Sequence, residues 1–185
     1  MKNEVFLIKY PSPSDVERSF SPVFWDYTLA NPEKAYMSDC PTLSNYDKVY
    51  GEDSSQIWVN GQITGLFGMS SEKDGTKAET INMFSKCFAK EVGLYKLSEL
   101  MLFFGRYAAG RYDNCWQTFD THKIGSAFFK EFLPQRQKEL EIYEAKRNQE
   151  NVSKDVEEWK KSSISYKEWL KIKEVEKTKD KHNIM

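Results

Sequence analysis

The sequence predicts a mostly α protein: a compact bundle of about five short helices, with an irregular N-terminal arm and a charged C-terminal helical tail. Three observations lead to this fold class. Apolar residues recur at helical spacing between residues 42 and 134, five of the six prolines precede residue 42, and charged residues crowd the segment after Pro134. The 185 residues suffice for one domain with its own core. We therefore divide the chain into an arm (1–41), a helical domain (42–134) and a tail (135–185).

The first 41 residues show no helical period. We predict an extended arm with one short strand at "VFLIKY" and a turn at Pro11 and Pro13. The later segment "FSPVFWDY" is too apolar for a free linker, so we expect the arm to pack on the domain.

Each of the five predicted helices carries its own boundary signals. Small polar residues that can accept hydrogen bonds from the first turn stand before several of them, and glycines follow. The predicted starts and stops are Thr42 and Gly51 for the first, the stretch "DSSQIWVNGQITGLFG" for the second, a Thr76–Glu79 capping box and Gly93 for the third, Ser98 and Gly110 for the fourth, and Asp120 for the start of the fifth.

The fourth helix is predicted to be the central one. Its apolar residues cover more than half of its circumference, which is typical of a helix enclosed by others. One face carries Leu100, Phe103, Phe104 and Tyr107, and the neighbouring face carries Leu97, Met101 and Ala108.

The tail is also predicted to be helical, but it lacks a continuous apolar face. The stretch "QRQKELEIYEAKRNQEN" is charged almost all round, and Pro134 before it marks either a kink or the first position of a new helix. A second tail helix is predicted from Ser165. The aromatic residues Trp159, Tyr166 and Trp169 are the main apolar anchors of the tail. Helices of this kind either stay solvated or need a partner surface.

Arginine and tyrosine at the end of the fourth helix form a second candidate contact. Arg106 lies on the sparse polar face and Arg111 follows Gly110, so we expect both guanidinium groups to reach the surface beside Tyr112. Arginine in this setting can contact phosphate or a partner protein, although cations also commonly end a helix.

Composition excludes several classes of protein. A net charge of −1 argues against a protein that mainly coats phosphate backbones. No apolar run approaches a membrane span, and "MKNEVFLIKYPSPSD" lacks the apolar core of a secretory signal. Cys40, Cys87 and Cys115 are odd in number and far apart, so we expect reduced thiols in a cytoplasmic protein.

No catalytic or metal-binding pattern is strong. His122 and His182 are the only histidines, and Cys115 with His122 is a conceivable nucleophile and base without a supporting motif. Adding Cys87 does not give metal-ligand spacing. We expect a protein that is not an enzyme and that needs neither cofactor nor metal.

A pattern of residues between about 40 and 137 resembles a family of uncharacterised small helical proteins from gut anaerobic bacteria and their prophages and mobile elements. This chain departs from the family at Asp113, where the family has glycine, and in the following "NCWQTFD". The matching positions are Trp58, Lys96, Glu99, Phe103, Phe104, Arg106, Gly110, Arg111, Tyr112 and Arg136. The resemblance implies no activity, but it suggests an accessory role in replication or maintenance of mobile DNA.

Three functional hypotheses follow. The leading one is an adaptor that binds another protein, such as a replication protein, through the tail aromatics and the Arg-Tyr residues. The alternative is a DNA-binding module in which Arg106, Arg111, Lys123, Lys130 and Arg136 meet phosphates. The third is an enzyme that uses Cys115 and His122. The oligomeric state is left open.

Overall fold

The computed structural model describes residues 3–67, 75–112, 119–162 and Trp169. These residues are mainly helical and contain no strand, which confirms the predicted fold class. The helices are α1 (Asn3–Lys9), α2 (Pro13–Ser19), α3 (Trp25–Ala30), α4 (Pro32–Met37), α5 (Leu43–Tyr50), α6 (Ser54–Phe67), α7 (Gly75–Glu91), α8 (Leu97–Ala108), α9 (Thr121–Ser126) and α10 (Leu133–Ser162). A 3-10 turn (Pro22–Phe24) precedes α3, and a π-helical segment (Ala127–Phe132) joins α9 to α10.

The N-terminal segment is helical, so the predictions of an irregular arm and of a strand at "VFLIKY" are wrong. The prolines begin helices instead of excluding them, because the first helical position needs no backbone N–H. Pro13 follows Ser12, which forms a capping box with Asp15. Among residues 4–9 of α1 only Phe6 is buried, and Tyr10, one turn later, is buried just beyond the helix. This spacing of four is helical.

One glutamine holds these N-terminal helices against α6. Gln62 is buried, its amide nitrogen donates to the backbone oxygen of Phe20 (2.7 Å), and its amide oxygen accepts from the indole of Trp25 (2.8 Å). The expected packing of the N-terminal segment on the rest of the domain therefore has a specific polar contact.

Most predicted helix boundaries lie close to the observed ones. The Thr42 hydroxyl accepts from the N–H of Asn45 (3.2 Å) at the start of α5, and Asp120 caps α9. Ser98 does not cap α8. The N-cap is Lys96, and the Ser98 hydroxyl instead donates to the backbone oxygen of Ala35 (2.7 Å).

Helix α8 is the centre of the fold, as predicted. Every residue from 97 to 107 is buried. The ring of Phe103 lies 5.0 Å from that of Phe128 and 5.5 Å from that of Phe132, which joins α8 to the π-helical segment. Gly105 admits Trp25 of α3, since a Cβ at this glycine would lie only 3.2 Å from the Trp25 backbone oxygen. The central helix therefore contacts both the N-terminal helices and the π-helical segment.

Pro134 does not interrupt the helix. It is the second residue of α10, and the helical backbone continues through it from Thr121 to Ser162. Proline cannot donate to the carbonyl four residues earlier and clashes with it in a regular α-helix. The wider π turn immediately before Pro134 relieves this conflict.

Contacts divide the chain into two units, Met1–Glu141 and Ile142–Met185. The first unit contains the core described above. The second unit is described only over the later part of α10 and at Trp169. The predicted helix from Ser165 lies outside the described residues.

Candidate interaction surfaces

Arg106 does not reach the surface, so the expectation that it is exposed is wrong. Its side chain is buried, and its Nη2 donates to both carboxylate oxygens of Glu139 on α10, at 2.9 and 2.8 Å. Its Nη1 donates to the hydroxyl of Tyr36 (3.2 Å). Burial alone lowers the pKa of Arg106, but hydrogen bonding to Glu139 and the charges of Tyr36 and Glu139 raise it above its ordinary value.

A second ion pair lies beside the first. Arg136 of α10 donates to the buried carboxylate of Glu99 on α8 (2.9 Å), and its guanidinium lies 5.2 Å from the centre of the Tyr95 ring. The ring face favours a nearby cation. Together with the pair Arg106–Glu139, this contact fixes the first turns of α10 to the central helix. Both arginines are therefore occupied by carboxylates of the same chain.

Tyr112 is also buried, which corrects its assignment as a surface contact. Its ring stacks on Phe103 with centres 5.7 Å apart, and burial raises the pKa of its hydroxyl. Arg111 is exposed, as predicted, and its backbone N–H bonds to the carbonyl of Arg106 at the end of α8. Of the three residues of the predicted Arg-Tyr contact, only Arg111 is available to a partner.

The N-terminal helices form a cleft that the sequence prediction missed. Its volume is about 600 Å³, within the usual range of ligand and peptide pockets. Tyr10, Cys40 and Met101 line its buried floor, and Phe24 and Tyr27 are exposed at its rim. Two lysines, Lys9 and Lys34, also line it.

Cys40 sits in this cleft as a buried thiol. Burial raises its pKa, although a hydrogen bond to Ser98 and the nearby Lys9 and Lys96 act in the opposite direction. A thiol with a raised pKa is a poor nucleophile at neutral pH. The cleft therefore has the character of a binding groove with an apolar floor.

The later part of α10 is the other exposed surface. Between residues 142 and 161 every side chain is exposed except that of Tyr143, which is half-buried. Four large apolar side chains in this stretch are 44 to 68% exposed: Ile142, Val152, Val156 and Trp159. Trp169 is also exposed. Tyr166 lies outside the described residues, so its predicted contact stays a prediction.

Among the remaining candidates, the structure bears on metal binding over the residues that it describes, and it leaves the pair Cys115 and His122 untested. Within the described ranges, no three His, Cys, Asp or Glu residues are grouped as metal ligands would be. His122 is exposed, whereas Cys115 and His182 fall outside those ranges. A search of the described helices also finds none with the length and apolar character of a membrane span.

One family model matches the chain, over residues 82–180, which is more than half of its length. The match begins within α7 and includes α8, α9 and α10. No curated protein matches the chain, and no solved structure matches it.

Proposed function

Since the chain belongs to the family of unknown function DUF6633, which supplies no activity, we propose from its geometry that it is a non-enzymatic helical adaptor that binds another protein. One observation carries this proposal. The exposed part of α10, residues 142–161, presents large apolar side chains to solvent on a helix that is otherwise charged.

Such a helix gains from a partner for two reasons. Most of the stability of a helix in a protein comes from packing of its apolar face and not from its own propensity. Fully burying one exposed valine side chain contributes roughly 1.5–3 kcal/mol. Covering Val152, Val156 and Trp159 would therefore stabilise both the helix and the complex. Trp159 and Trp169 keep the role of contact residues that the sequence suggested for them.

The cleft between the N-terminal helices supplies a second contact in this proposal, in place of Arg106 and Tyr112. Its floor suits an apolar side chain of a partner, and Phe24 and Tyr27 at the rim add aromatic surface, which is typical of protein interfaces. Lys9 and Lys34, against the single acid Asp39, leave the cleft lining with a net positive charge, which favours a partner segment that carries a carboxylate beside the apolar residue.

Binding of DNA is the alternative, and the charges favour it less. Of the five cations in that hypothesis, Arg106 and Arg136 are paired with Glu139 and Glu99. A group that already neutralises a carboxylate releases few counterions when it meets a phosphate. Of the other three, Arg111 and Lys130 are exposed and Lys123 is half-buried, and so few cations give little affinity at physiological salt.

The biological setting rests on the resemblance described above. We propose an accessory role in phage or mobile-element DNA replication, with a replication protein as the partner and the cytoplasm as the compartment. The partner would be held by contacts of the adaptor alone, without cofactor, metal or chemical step.

The test is an affinity capture from the native cell with the full chain as bait. A matched bait carries Val156→Glu and Trp159→Glu, which keep the helix soluble and remove two apolar contacts. We expect a protein other than the chain itself to bind the first bait and to be lost from the second. Capture of no other protein contradicts the proposal. Nucleic acid that binds both baits equally and is released by salt supports the DNA alternative.

A further inference from the structure

The exposed part of α10 carries a regular seam of residues on one face. They alternate at spacings of three and four, which is the a and d pattern of a coiled coil. Positions a are Ile142, Gln149 and Val156, and positions d are Ala145, Val152 and Trp159. All six are exposed, and together they cover three heptads.

The residues that flank the seam show what fits against it. The g positions are Glu141, Asn148 and Asp155, and the e positions are Lys146, Ser153 and Lys160. In a parallel pair of identical helices, each g residue faces the e residue five positions later on the other helix. This places Glu141 opposite Lys146, Asn148 opposite Ser153 and Asp155 opposite Lys160, so every flanking pair is complementary.

An antiparallel pair of the same helices loses these charge pairs. In that arrangement e residues face e residues and g residues face g residues. Pairing each a position with a d position over the whole seam places Lys146 against Ser153 and Asn148 against Asp155. The opposite charges no longer meet, so the charge pattern favours the parallel orientation.

We propose that the partner of this seam is a second copy of the chain, and that two chains form a parallel two-stranded coiled coil over residues 141–162. This inference rests on the proposed function, because it names a partner for the same exposed helix. The β-branched Ile142 and Val156 stand at a positions, where two-stranded coiled coils commonly have such residues, and the mass of the complex decides the number of strands. Gln149 lies at the central a position, where two amides can hydrogen-bond across the axis and fix the register.

The dimer carries two copies of the first unit and so two clefts. A partner with two matching segments could then bind both clefts at once. Because the two binding events are linked, the overall affinity exceeds that of either cleft alone. An adaptor that pairs through α10 is in this way bivalent.

The experiment uses full-length chains and two charge-reversal variants. One variant carries Glu141→Lys and Asp155→Lys, and the other carries Lys146→Glu and Lys160→Glu. Sedimentation equilibrium over a concentration series measures the mass of each chain and of their equimolar mixture. We expect the native chain to dimerise, each variant alone to dimerise at least about tenfold more weakly, and the mixture to recover the dimer. Circular dichroism of each variant shows whether the variant stays folded.

Orientation is tested separately with added cysteines. Ala145→Cys places two thiols opposite each other only in the parallel pair, whereas Lys154→Cys lies on the outer face of the helix and is the matched control. We expect oxidation to link the first variant into a dimer and not the second, relative to the native chain with its own cysteines.

A native chain that stays monomeric over the whole series overturns this inference. So does a dimer that neither charge reversal weakens, because its interface then lies elsewhere. Neither result contradicts the adaptor proposal if the affinity capture still yields another protein that the Val156→Glu and Trp159→Glu bait loses. Conversely, a dimer with no captured partner supports the coiled coil and contradicts the adaptor.

Discussion

Glu139→Gln is the most informative single change, because it removes a charge and keeps nearly the same shape. In the native structure the Glu139 carboxylate accepts both bonds from the Nη2 of Arg106, and the Arg106 side chain is 3% exposed while that of Glu139 is 20% exposed. The variant leaves the buried guanidinium without its counter-charge. The same change of one unit in net charge at an exposed carboxylate leaves no buried charge unpaired.

The magnitude follows from this burial. Breaking a buried ion pair by removing one partner costs about 3–5 kcal/mol. The glutamine oxygen still accepts one bond and the site is partly open on the Glu139 side, so we expect the lower end, about 3 kcal/mol. Adding Arg106→Met removes the stranded charge, and the double variant should recover at least about 1 kcal/mol.

Urea unfolding followed by circular dichroism measures these differences. Glu150→Gln is the matched control, because it makes the same chemical change on the same helix in a pair with Lys146 that is 4.0 Å long and more than half exposed. Exposed pairs contribute about 0–1 kcal/mol, so the control should hardly change the free energy of unfolding. If Glu139→Gln falls within about 1 kcal/mol of Glu150→Gln, the buried pair does not fix α10 in the way described.

Three further results are expected. Gly61→Ala should stabilise the protein by up to about 1 kcal/mol, since its Cβ meets nothing within 4 Å. Gly65→Ala on the same helix should destabilise the protein by about 1–3 kcal/mol, because the new Cβ would lie 2.7 Å from Pro22. Urea unfolding of both variants measures the two changes. Equal effects on the free energy of unfolding would contradict the prediction. Burial raises the pKa of Tyr36 above its ordinary value of 10.0, so above that pH the unfolded phenol releases its proton first. Stability should then fall by about 1.4 kcal/mol per pH unit for this tyrosine. The part of the tyrosinate absorbance that a Tyr36→Phe variant lacks should appear only on unfolding. Peptide mapping after brief alkylation should find exposed Cys87 modified and buried Cys40 protected, and equal labelling would contradict the burial.

The central helix and several caps could be predicted from sequence, since their causes are local. The apolar residues of α8 surround more than half of the helix, and no exposed helix tolerates that pattern. Thr42 and Asp120 act on N–H groups two or three residues away. The prediction of an irregular N-terminal arm is wrong because it treats proline only as a helix breaker. Ser12 before Pro13, with Asp15 three residues after the serine, is the signal of a capped helix that begins with proline.

The burial and ion pairing of the arginines could not be predicted in the same way. Arg106 and Glu99 lie seven residues apart on one face of α8, a spacing that fits a polar surface as well as a buried pair. Their partners, Glu139 and Arg136, are more than 30 residues away along the chain. Whether a charged side chain is buried depends on such distant partners, which local spacing does not identify.

The π-helical segment holds one more residue per turn than the α-helix on either side of it, because its hydrogen bonds join residues five apart. Each residue of an α-helix advances the backbone by about 100°. An extra residue in a regular helix would therefore swing Arg136 and Glu139 by that angle, away from their partners on α8, whereas the π turn takes it up and keeps their direction. Among relatives of this chain, loss of one residue between Ala127 and Phe132 should give a regular helix in which both ion pairs persist. A change of length between Leu133 and Arg136 should occur only where both ion pairs have been replaced as well.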